Sequence, residues 1–79
     1  MRTARPVTDR ELDVISAWWH QGTVKGAADL LGLHVQTAKN LLHTARMRAG
    51  VPNTLALAQL TRKDHRSMAA LKRRRKVAA

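Results

Sequence analysis

The sequence predicts an all-α fold of four helices. Three observations carry that expectation. Apolar residues recur at helical spacing, capping residues and glycines mark where helices begin and end, and no stretch alternates apolar and polar residues as a strand would. Residues 1–7 read as a flexible arm carrying Arg2 and Arg5. Thr8-Asp9-Arg10-Glu11 is a capping box, in which the Thr8 hydroxyl accepts from the Glu11 amide and the Glu11 carboxylate reaches back to the Thr8 amide. Leu12, Ile15 and Trp19 then form the expected inward stripe of the first helix, flanked by Val14 and Trp18, and Gln21-Gly22 ends it. Thr23 caps a short second helix to Leu31, closed by Gly32, where a tight turn needs positive φ. The third helix is expected over Val35 to Ala49, stopping at Gly50. Pro52-Asn53-Thr54 opens a fourth through Leu55, Leu57 and Leu60. Past Thr61 the periodicity gives way to charge. The chain therefore divides into an arm (1–7), a folded domain (8–61) and a basic tail (62–79), either continuing the fourth helix or disordered.

Fifteen Lys and Arg against five Asp and Glu give a net charge of +10 over 79 residues. Residues 61–79 hold eight cations and one acid, a net +7, while residues 1–60 carry +3. The run Lys72, Arg73, Arg74, Arg75 and Lys76 repels itself unless phosphates neutralise it, so it is expected to contact a polyanion. A merely solubilising tail is the alternative. With no cysteine, disulfides and thiolate metal sites are excluded. The histidines His20, His34, His43 and His65 lack metal-ligand spacing, and no cofactor site is expected. Neither a membrane span nor a signal peptide is visible, so a cytoplasmic, nucleoid-associated protein is the expectation. Ser16 and Ser67 have no base placed by a motif, and there is no phosphate-binding glycine loop, so no catalysis is expected.

Val24 to His43 has helix-turn-helix spacing. Ala28 is the small residue at a close helix crossing, and four positions later Gly32 makes the turn. Leu31 and Leu33 point inward, and Ala38 and Leu41 are the expected core positions of the third helix. That leaves His34, Val35, Gln36, Lys39, Asn40 and His43 facing outward. Gln and Asn pair with adenine, Lys with guanine, and Val meets a thymine methyl, so Val35, Gln36, Lys39, Asn40 and His43 are candidate base contacts in a major groove.

Thr8 to Ile15, Ala27 to Leu33, Thr37-Ala38-Lys39-Asn40 and Gly50-Val51 together resemble the LuxR/GerE-type DNA-binding domain over about residues 7–60. The resemblance implies a four-helix domain whose third helix reads duplex DNA and whose fourth helix forms a homodimer, here through Leu55, Leu57 and Leu60. It places Lys39, Asn40 and His43 among base readers, and Thr23, Lys25 and Thr37 among phosphate contacts, which Arg46 and the tail cations join. Several positions depart from the pattern. His34 stands where the family has serine, which predicts a weaker cap on the third helix. Alanine occupies usual branched or leucine positions at Ala27, Ala38, Ala45 and Ala49, and Trp18 or Trp19 is expected to refill that volume. Leu42 to Arg48 also resembles the last helix of a sigma factor's promoter-reading domain, although Gly50-Val51-Pro52-Asn53 before another helix favours the first resemblance.

The expected function is a sequence-specific transcription regulator. The alternative is a module or sigma-like factor that binds RNA polymerase or another regulator through the fourth helix. Binding to nucleic acid or a membrane surface by the tail alone is a third reading, disfavoured for membranes by the scarcity of aromatic anchors.

Overall fold

The computed structural model describes residues 7–78, with side chains as far as Arg74. The helix boundaries follow local chemistry. In α1 (Asp9–Gln21) the capping box forms: the Glu11 amide donates to Thr8 Oγ1 at 3.1 Å, and the Thr8 amide donates to Glu11 Oε1 at 2.9 Å. In α2 (Val24–Leu31), Thr23 Oγ1 accepts from the Gly26 amide at 3.0 Å. Gly32, at φ 70°, turns the chain into α3 (Val35–Ala49). Asn53 Oδ1 accepts from the Ala56 amide at 2.8 Å and caps α4 (Thr54–Leu60).

The four-helix expectation falls one helix short. After a 3-10 turn at Arg62–Asp64, α5 runs from Met68 to Ala78, so the described residues contain five α-helices and no strand. The Ser67 hydroxyl accepts from the Ala70 amide at 3.1 Å and starts α5. Leu71, a single apolar residue in a charged context, is fully buried and docks α5 on α1 and α2. The body also reaches further back than Thr8, because Val7 is buried in the core. Arg2 and Arg5 lie outside the described residues.

The core gathers around α1, which packs against all four other helices. Every residue from Glu11 to Ala17 is buried, a run too long for one stripe. Leu12, Val14 and Ile15 meet Ala27, Ala28 and Leu31 of α2, Ala38, Leu42 and Ala45 of α3, and Leu57 and Ala58 of α4. Two expectations are corrected. Trp19 is 46% exposed and lies against the His65 ring, while Trp18 packs on the core. Leu42, rather than the half-buried Leu41, is the buried leucine of α3. Helix geometry explains the second: Ala38, Leu42 and Ala45 follow i, i+4, i+7, and Leu41 falls to the flank. Any refilling of volume beside the alanines therefore falls to Trp18.

Burial of α1 carries polar groups inside, and each has a partner, although Asp13 Oδ1 is met by charge without a hydrogen bond. Glu11 pairs with Arg48 of α3. Asp13 accepts a hydrogen bond from Arg74 Nε at 2.6 Å and forms an ion pair with Arg66, whose Nη1 lies 3.1 Å from Oδ1. Ser16 Oγ accepts from the Arg66 amide at 3.0 Å, and Arg66 also reaches Asp9 Oδ1 at 3.2 Å. Asp13→Ala removes the hydrogen-bond acceptor of Arg74 and the charge partner of Arg66. It is expected to cost about 2 kcal/mol in denaturant unfolding and to speed hydrogen exchange at the Leu71 amide. Unchanged exchange there would show that α5 docks without help from Asp13.

The His65 imidazole is pushed below its ordinary pKa of 6.5, chiefly by burial and further by His20; a backbone hydrogen bond and Asp64 oppose the shift. The folded protein thus disfavours protonated His65. Its contribution to stability is full above 6.5 and is lost as pH falls below that value, toward the folded pKa. Melting temperature is expected to drop between about pH 7 and pH 5, and to drop less in His65→Gln.

Candidate nucleic-acid interface

Two contacts fix the orientation of α3. Its inner ridge of Ala38, Leu42 and Ala45 sits in the core, and Arg48 reaches the buried Glu11 carboxylate of α1. The opposite ridge is then set by helix periodicity. Gln36, Asn40, His43 and Met47, spaced i, i+4, i+7, i+11, are all exposed along a helix of about 22 Å. Lys39, also exposed, flanks that ridge on one side, and Thr37 and Thr44 flank it on the other. Val35 is half-buried and packs against the core, so only part of it is available to a groove.

Within the ridge, Gln36 Nε2 donates to Asn40 Oδ1 at 3.0 Å. The two amides therefore form one unit: Asn40 still offers both N–H groups, and Gln36 still offers its carbonyl oxygen. Arg46 is half-buried, with Nη2 3.5 Å from His43 Nδ1 and Nε inside without a hydrogen-bond partner. Met47, 71% exposed, is the ridge residue that sequence reasoning missed; the i+11 spacing from Gln36 was the available signal.

The cations expected at phosphates fall into two groups. Lys25 is exposed at the start of α2 beside Thr23, whose oxygen serves as the helix cap while its hydroxyl hydrogen can serve an outside acceptor. Lys72 and Arg73 are exposed on α5. Arg74, also on α5, is held inward: its Nε donates to Asp13, and that hydrogen bond is the main cause of its raised pKa. The side chains of Arg75 and Lys76 lie outside the described residues. Arg66, which sequence reasoning assigned no role, bridges the connector before α5 to Asp9 and Asp13.

Of the expected dimer residues, Leu57 is fully buried in the core and cannot contribute to a seam. Leu55 and Leu60 are 50% and 54% exposed, on the two flanks of the outward face of α4. The fourth helix therefore offers a narrower apolar surface than three leucines suggested.

His34 precedes α3 in cap geometry but makes no side-chain cap bond, as the departure from serine predicted. His34→Ser supplies an oxygen for the orphan amides of the first turn. It is expected to raise stability by about 1 kcal/mol in thermal or denaturant unfolding.

No helix among the described residues is long and apolar enough to cross a membrane. No protein-family model matches the chain, and no match is found among curated proteins or solved structures.

Proposed function

We propose that this chain is a sequence-specific regulator that binds duplex DNA in the manner of the LuxR/GerE-type domain it resembles. The observation that carries the reading is the outward ridge of α3. Gln36, Asn40 and His43, with Lys39 beside them, stand directly opposite the buried ridge of the same helix. Those side chains can hydrogen-bond base edges in a major groove, and the pairing of Gln36 with Asn40 preorganises two of them. Thr23, Lys25, Thr37, Arg46, Lys72 and Arg73 supply phosphate attraction, which sets affinity and its salt dependence rather than sequence preference. The exposed Leu55 and Leu60 form the dimer contact between two copies, each reading one half-site. The protein acts at the nucleoid in the cytoplasm and carries no catalytic role.

A second reading rests on the same exposed side chains of α4. If Leu55 and Leu60 bind RNA polymerase or another regulator instead of a second copy, the chain is an interaction module.

Selection from random duplex DNA, followed by titration of the winning site and a scrambled site at two salt concentrations, separates the readings. A two-fold-symmetric motif preferred by about 4 kcal/mol or more is expected. Lys39→Ala is expected to lose about 1–3 kcal/mol on that site and to relax preference at one base pair. The double variant Lys72→Gln, Arg73→Gln is expected to weaken all sequences alike and flatten the salt slope. Absence of any enriched motif would leave the interaction module.

A further inference from the structure

Between α1, α2 and α5 lies a partly open groove of about 710 Å³, which shares only Arg73 with the proposed DNA and dimer contacts. Val14, Leu31, Leu33 and Ala70 supply its apolar lining. Four arginines and two aspartates stand around it, but they are not equivalent. Arg66 and Arg74 are consumed by Asp13, and Arg66 also engages Asp9. Arg10, on the exposed side of α1, and Arg73, on α5, have no carboxylate partner among the described residues. The groove therefore joins an aliphatic floor to two uncompensated cations from different helices.

We infer that this groove binds a small organic anion with an aliphatic body, whose carboxylate or equivalent head meets Arg10 and Arg73 while its chain lies on Leu31, Leu33 and Ala70. The volume falls within the range of about 300–1,000 Å³ common to small-ligand sites, and the mix of apolar walls with few polar groups is also theirs. Charge selects the class of ligand. A neutral aliphatic molecule leaves both guanidinium groups unanswered, a cation meets repulsion from them, and a fully polar anion leaves the apolar floor exposed. The α5 helix forms one wall, so the site exists only because the basic C-terminal segment folds back onto the body. Leu31 and Leu33 flank Gly32, the turn that leads into α3, so an occupant touches the segment that aims the outward ridge. That consequence rests on the DNA reading above; the binding itself does not.

The test uses the full chain without DNA, titrated with octanoate and, separately, with 1-octanol, while amide chemical shifts are followed. Octanoate is expected to saturate with a Kd below about 1 mM, moving the amides of Val14, Leu31, Leu33 and Ala70, with 1-octanol at least about tenfold weaker. Arg10→Gln is expected to weaken octanoate about tenfold and leave 1-octanol unchanged. Ala70→Trp is expected to fill the groove and abolish both, its amide spectrum reporting that the fold persists. Equal binding of octanoate and 1-octanol, insensitivity to Arg10→Gln, or shifts centred on Leu55 and Leu60 would overturn the inference. So would binding of an octaglutamate peptide at the groove without octanoate binding, which would reassign it to an acidic protein segment. Octanoate added to a protein–DNA complex then tests the link to α3. Failure of DNA binding altogether would overturn the DNA reading and leave the octanoate result standing.

Discussion

Asp13 sits on the central helix with its carboxylate almost out of water, held between Arg66 and Arg74. Two residues earlier on a different face, Glu11 caps its own helix and pairs with Arg48. An ionised carboxylate is costly to bury unless cations and donors replace its hydration. The three arginines that do so come from α3, from the connector and from α5, the last two more than fifty residues away in sequence. Once α1 is surrounded, the positions of the outward-reading helix and the terminal helix are tied to its two acids.

This electrostatic frame matters because the apolar core is small and built largely of alanine. Ala17, Ala27, Ala28, Ala38, Ala45 and Ala58 are all fully buried. Their short side chains let helices approach closely, but each gives little area and little directional constraint. Gly26 carries the same logic further: a Cβ there would meet Gln21 Cβ at 2.9 Å and Thr23 Oγ1 at 3.0 Å. Leucines and isoleucine at Leu12, Ile15, Leu57 and Leu71 supply volume. The arginine–carboxylate pairs supply orientation, since a guanidinium fork meets a carboxylate in few geometries.

Part of the positive charge is therefore structural. Arg48, Arg66 and Arg74 answer internal acids, while Lys25, Lys39, Lys72 and Arg73 face outward without such a partner. The same division shapes the groove beside α5, where engaged and unengaged arginines stand next to one another. Net charge alone would treat them as a single polyanion-binding surface, although only the second group retains its full field for a ligand.

The sequence by itself determined the local features: the caps at Thr8, Thr23 and Asn53, the turns at Gly32 and Gly50, the bare cap at His34, and the outward placement of Gln36, Lys39, Asn40 and His43. Each depends on neighbours within one or two turns, where hydrogen-bond geometry and the helical period leave few choices. Only the tertiary structure decided the rest. A one-sided stripe was expected for α1, but four helices pack around it, so Trp19 emerges at its end while Glu11 and Asp13 go inside. Leu57 was spent on the core instead of a dimer surface, and the charged segment after Thr61 became a docked helix through Leu71 and Asp13. Those outcomes turn on which distant groups share one buried space, and periodicity along the chain holds no record of that sharing.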